Sequence, residues 1–178
     1  MAELTSAWEY FSSFANTDFG NNVAWSNLAN FDEDDSVLAL VSIPSSNLIS
    51  KYATATDWNG KQSISPDSVI NGIEARYTLW RTAGFGGSRE YSIRLVSNGS
   101  VIGTDHSVGT LYGTSEVQYS TGSVSDTWGI TPNTSHIKDG TFGVVLAVQA
   151  SPTGGVELSG DYIQMRITHS PGAMMICM

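Results

Sequence analysis

Cysteine is nearly absent: Cys177, next to the last residue, is the only one in this 178-residue chain. A single thiol allows neither an internal disulfide nor a multi-cysteine metal site within one chain, so the fold does not depend on an oxidising compartment. Basic residues are scarce too, 8 Lys and Arg against 17 Asp and Glu, which leaves a formal net charge of −9. Nucleic-acid backbones and anionic membrane surfaces both call for clustered cations, so neither is an expected partner. Charged residues of both signs make up only 14%, against an ordinary share of about 25%. Solubility then rests on Ser, Thr, Asn and Gly. No apolar run approaches the roughly 20 residues of a membrane-spanning helix. Residues 1–13 show no basic segment leading into an apolar one, so synthesis in a cytoplasm without a secretory signal is expected.

Recognisable catalytic patterns are missing as well. Gly84-Phe85-Gly86-Gly87 lacks the Lys-Ser/Thr that would meet a phosphate, and no serine sits in a Gly-x-Ser-x-Gly elbow. His106, His136 and His169 are far apart, at spacings that suit no ligand pair on one strand or helix. Asp32, Glu33, Asp34 and Asp35 could offer oxygens to calcium, but they lack the alternation and downstream Glu of an EF-hand loop and read as a solvated acidic turn. No enzyme activity, cofactor or metal is expected.

What the chain does have is alternation. Ile73, Ala75, Tyr77 and Leu79 alternate with Glu74, Arg76, Thr78 and Trp80, and Tyr91, Ile93 and Leu95 alternate with Ser92 and Arg94. Phe142, Val144, Leu146 and Val148, and then Ile163, Met165 and Ile167, repeat the pattern. A period of two places one set of side chains on each face of a strand, so each segment can bury one face and wet the other. Segments of this kind separated by Gly-, Ser- and Asn-rich turns predict an all-β fold, an antiparallel β-sandwich of jelly-roll type. Asn98-Gly99 reads as a two-residue hairpin turn. The predicted core is Ile73, Tyr77, Tyr91, Ile93, Leu95, Val144, Leu146, Ile163 and Ile167. The sandwich is expected over residues 25–170, with an aromatic N-terminal arm at 1–24 and an apolar tail at 171–178. In the arm, Trp8, Phe11 and Ala15 lie at near-helical spacing, which predicts a short helix.

Aromatic residues offer the one binding chemistry visible at this level. Trp58, Trp80 and Tyr112 could present flat faces to sugar rings, and Trp80 falls on the polar side of its strand by alternation. They form a candidate glycan platform, which would make the domain a carbohydrate-binding or receptor-binding module.

Four patches, taken in order, carry a family resemblance: Val69-Ile70-Asn71-Gly72-Ile73-Glu74-Ala75 running on to Leu79-Trp80-Arg81; Tyr91 to Val96 with Ile102-Gly103; Asp126-Thr127-Trp128-Gly129 with Phe142-Gly143-Val144; and Asp161 to Ile167. Upstream, Trp25, Asn27, Asn30 and Asp34-Asp35 complete the series. Together they resemble a β-sandwich domain found in virion proteins of tailed bacteriophages and in environmental viral sequences. The resemblance implies a virion structural protein, a head decoration or cement protein or a tail or fibre component. Such a protein acts through contacts with other virion proteins, is made in the host cytoplasm and assembles as a homo-oligomer. It carries no catalytic residue across. The patches read as folding devices: Asn71-Gly72 a tight entry to a core strand, Asp126 and Trp128 a loop anchored by a buried indole. The chain departs from the pattern in its two ends. Assembly contacts are therefore expected at Trp8, Tyr10, Phe11 and Phe14, and at Met174, Met175 and Ile176.

Overall fold

The computed structural model describes residues 3–18, 23–84 and 86–172. Its strands are β1 (Leu4–Thr5), β2 (Glu9–Thr17), β3 (Ala39–Ile43), β4 (Tyr52–Trp58), β5 (Val69–Thr78), β6 (Trp80–Ala83), β7 (Ser88–Ser97), β8 (Ser100–Ile102), β9 (Gln118–Ser123), β10 (Gly143–Ala150), β11 (Val156–Gly160) and β12 (Ile163–Ser170). Two short 3-10 turns, Leu28–Phe31 and Asn59–Ser63, and one helix, α1 (Thr134–Lys138), complete the described elements. The named strands pair antiparallel throughout. Strands distant in the chain lie side by side, in the order β8-β7-β10-β4-β2-β12-β5-β9, with β1 also on β12. A smaller sheet runs β3-β11-β6. The all-β antiparallel sandwich expected from the alternation is what the chain forms.

β2 is the corner of the sandwich. Its first residues pair with β12, Glu9 opposite Met165 and Tyr10 opposite Gln164, while Phe11 to Thr17 pair with β4. A strand that changes sheets needs a local irregularity. Here it falls at Ser12 and Ser13, two successive exposed residues, where Asp57 beside Ser12 takes a left-handed φ of 59°. The Ser12 hydroxyl donates to the Asp57 carboxylate at 2.6 Å, and Lys61 pairs with the same carboxylate. The two halves of the long sheet therefore fold over one another. Ile73, Tyr77, Ile163 and Ile167 from one half meet Ala53, Ile93, Leu95, Val144 and Leu146 from the other in a single core. β5 runs on into β6 and β11 into β12, so this central ribbon bends over the core edge. At the bend the Thr78 hydroxyl accepts from the amides of Asp161 and Tyr162.

Four expectations are corrected. The N-terminal segment is not an arm: residues 4–5 and 9–17 are sheet strands, and the helix expected from Trp8, Phe11 and Ala15 is β2. Near-helical spacing arose because the corner breaks the period of two, so that Phe11 and Phe14 both face the core. Phe11 is 1% exposed and Phe14 packs on Phe31 with ring centroids 6.4 Å apart. Phe11 is thus a core residue and cannot be an assembly contact. Tyr91 is likewise not a core residue. A bulge in β7 sets Ser92 opposite Ala147 and Glu90 opposite Val148, which leaves Tyr91 as the extra residue on the outer side. Glu90 turns inward in its place.

The folding devices read from the sequence are in position. Asn98 and Gly99 both take positive φ, 51° and 71°, between β7 and β8. The Trp128 indole is buried and donates to the Ile73 carbonyl at 2.8 Å, while the Asp126 carboxylate accepts from the Trp128 amide at 2.7 Å. Gly72 lies against the next strand so closely that a Cβ there would stand 2.3 Å from the Val124 carbonyl carbon. The tail residues Met174, Met175 and Ile176 lie outside the described residues.

Candidate functional site

The sequence-derived glycan platform does not assemble. Trp58 is fully buried beneath the β2 corner, where its indole nitrogen donates to the Met165 carbonyl at 2.9 Å. Tyr112 is buried, its ring set edge-on to Tyr119 at 5.2 Å. Trp80 alone of the three is partly exposed, on β6 opposite Ser159. The reason is local: Trp58 ends β4 where the chain turns inward under the corner, and Tyr112 lies in the loop that closes the open edge between β5 and β7.

That edge is sealed by a tyrosine cluster around a buried carboxylate. The Tyr77 hydroxyl donates to Glu90 at 2.5 Å, the Val108 amide donates to the other Glu90 oxygen at 2.8 Å, and Tyr77 stacks on Tyr119 at 5.6 Å. Burial, with the Glu90 charge nearby, pushes the Tyr77 hydroxyl far above its ordinary range. The cluster ties the sheets together, with Tyr77, Glu90 and Tyr112 buried and Tyr119 partly exposed.

The histidines also have structural surroundings. His106 stacks on Trp128 at 4.2 Å and approaches Asp126 at 3.5 Å. His169 is buried against the Ser68 hydroxyl, and burial pushes its ring below the usual value. His136 lies on α1, away from both. The acidic turn docks onto Asp161, whose carboxylate oxygen accepts from the Ser36 amide at 3.1 Å. Asp161 is 1% exposed. Burial, and then the hydrogen bond and charge of Asp34, push its carboxyl up to about 6. Among the described residues no group of three or more His, Cys, Asp or Glu is arranged to hold a metal.

Chemistry accessible to a ligand gathers instead on the outer face of the sheet formed by β1 and the start of β2, β12, β5 and β9. Residues on the polar side of the alternation form it: Glu74 and Arg76 from β5 and Arg166 from β12 are partly exposed, and Gln164 from β12 is buried beside them. The Trp8 indole lies over two guanidiniums, with the Arg76 and Arg166 Cζ atoms 4.6 and 4.5 Å from its ring centroid. Arg166 grips Glu74 through two hydrogen bonds, 2.8 and 2.9 Å. The Arg76 Nε donates to the Gln164 side-chain oxygen at 2.5 Å. The face continues through Tyr162, whose ring meets Tyr10 edge-on at 6.3 Å and whose hydroxyl donates to Gln118 at 2.7 Å. Each cation–π contact at such a partly exposed site contributes about 0.5–1 kcal/mol. Together with the hydrogen bonds, these contacts hold planar groups in fixed orientations. Trp8 and Tyr10, expected as assembly contacts, are therefore half-buried parts of this face.

Sequence reasoning placed Glu74, Arg76, Gln164 and Arg166 on polar strand faces but did not join them. The signal was present in two strands that each carry long planar polar side chains two residues apart. The pairing of β5 with β12, and the return of Trp8 over both, was not.

No family model matches this chain, and no curated protein matches it. Among solved structures it is similar to the CBM22-1 xylan-binding domain of Paenibacillus barcinonensis Xyn10C, at 10% identity and a TM-score of 0.46, over 96% of this chain and 95% of that one. It is also similar to a cyclase from Fischerella sp. TAU, at 12% identity and a TM-score of 0.36, over 77% of this chain and 65% of that one.

Proposed function

We propose that this chain is a non-catalytic recognition domain that binds glycans on the outer face of the β12–β5 sheet. The observation that carries the reading is the Trp8 indole, partly exposed and laid over Arg76 and Arg166 among polar groups already held by one another. A pyranose has an apolar CH face and a rim of hydroxyls. An aromatic ring beside oriented Arg groups complements both, and groups fixed before binding lose little entropy when a ligand arrives. A glycan array followed by calorimetry on the hits tests the reading. Trp8→Ala should weaken binding at least tenfold while the melting temperature stays within a few degrees. An array without hits would overturn it. The virion setting implied by the family resemblance suits such a domain as a receptor-binding part. Mass spectrometry of purified particles, with copy number per particle, checks that setting.

A further inference from the structure

We infer that this face is selective for glycans bearing a ring carboxylate, hexuronate units in a mostly neutral chain, and that Arg76 reads the carboxylate; the inference rests on the glycan reading above. The two guanidiniums beneath Trp8 differ in what neutralises them. Arg166 is held by Glu74 in a two-bond pair, so its charge is answered within the sheet. Arg76 spends its Nε on the neutral oxygen of Gln164. Its other neighbours are the rings of Trp8, at 4.6 Å, and Tyr162, at 5.9 Å.

Among the described residues no carboxylate pairs with Arg76, and neither of its terminal Nη nitrogens makes a hydrogen bond. A planar cation fixed between rings, with its terminal edge unspent, is arranged to take a carboxylate through two parallel bonds. Charge-assisted bonds of that kind are about twice as strong as neutral ones. A hexuronate supplies both demands from one ring, an apolar face for the indole and a carboxylate for the guanidinium.

The surroundings set a limit on charge density. Asp34 and Glu116 act on Tyr162 at one end of the face, and the whole chain carries a net charge of −9. Fields of exposed charges fade over about 8 Å at physiological ionic strength. An isolated carboxylate at Arg76 is thus tolerated, whereas a densely sulfated chain would meet repulsion along its length.

Calorimetry with neutral oligosaccharides that carry a single hexuronate unit, each against its carboxyl-reduced counterpart, tests the inference. The uronates should bind at least tenfold tighter than the reduced forms, and added salt should narrow the gap. Arg76→Gln should close the gap, the ratio of the affinities for the charged and reduced oligomers being the quantity read. Arg76→Lys, which retains the charge without the fork, should restore only part of it. Thermal melts of both variants confirm that the fold is intact. Equal affinity for charged and reduced oligomers would overturn the selectivity and leave the glycan reading standing. A preference that survives Arg76→Gln would overturn the role of Arg76. Binding of neither oligomer class, with neutral glycans bound on the array, would overturn the inference alone, and an empty array would overturn both.

Discussion

Single residues hold the least obvious stabilising chemistry in this fold. Asp161 is buried beside Asp34 at the bend of the central ribbon, with its carboxyl pushed up to about 6, whereas in the unfolded chain it titrates near 4. Between those values the folded state holds a proton that the unfolded state has released, so this group's contribution to stability falls as pH rises from about 4 to 6 and is flat above. Asp161→Asn keeps a group that can both donate and accept there without ionising. Denaturant melts across pH 4–7 should show the variant gaining on the native chain as pH rises through that window. His169, whose ring titrates below its usual value and works in the opposite sense, is present in both and drops out of the difference. Parallel stability–pH curves would exclude a raised Asp161. A second prediction concerns Leu146, fully buried at the centre of β10. Leu146→Ala should cost about 2–5 kcal/mol, because the surrounding sheets can close only part of the space, and chemical denaturation measures it directly.

Elements differ in how legible they were. β5 and β7 announced themselves because a strand buried mainly on one face must alternate. β10 and β12 did so by their apolar alternate positions, although β10 is buried on both faces. The hairpin at Asn98-Gly99 was legible because adjoining residues with positive φ restrict the choice of side chains. β2 was illegible for a physical reason. A strand that serves two sheets must break its alternation where it turns, and the break at Ser12 and Ser13 put Phe11 and Phe14 at a helical interval. The bulge in β7 hid Glu90 in the same way: alternation assigns the inward place to Tyr91, and one inserted residue hands it to a carboxylate that only Tyr77 and the Val108 amide make tolerable. The glycan face was half legible. Its polar side chains could be read from β5 and β12 separately, but Trp8 reaches them only through the corner. Removing residues 1–17 should therefore destabilise the whole domain rather than trim it, since both sheet halves lose the strand that joins them. Scanning calorimetry should show a large drop in melting temperature or no cooperative transition. An unchanged melt would restore the free-arm picture.

At the scale of the molecule, the same sheet that presents the proposed binding face also holds both ends of the described chain. Leu4 pairs with His169 and Thr5 with Thr168, so the first and last strands lie antiparallel with their outer ends side by side. Mechanical load takes a particular form in this geometry. Tension applied between residues 4 and 169 pulls two neighbouring strands apart sideways and opens their hydrogen bonds one after another. Tension applied along paired strands must instead break the ladder together. The domain should yield at low force when stretched through its ends and resist more when stretched between residue 4 and the β7–β8 turn, a contrast that single-molecule force spectroscopy measures. Peeling starts at β1 and leads directly to Ser6 and Trp8. A pull on the ends would thus loosen the indole from Arg76 and Arg166 before it disturbed the core, and the grip on a ligand held there would weaken under strain while the sandwich stayed folded.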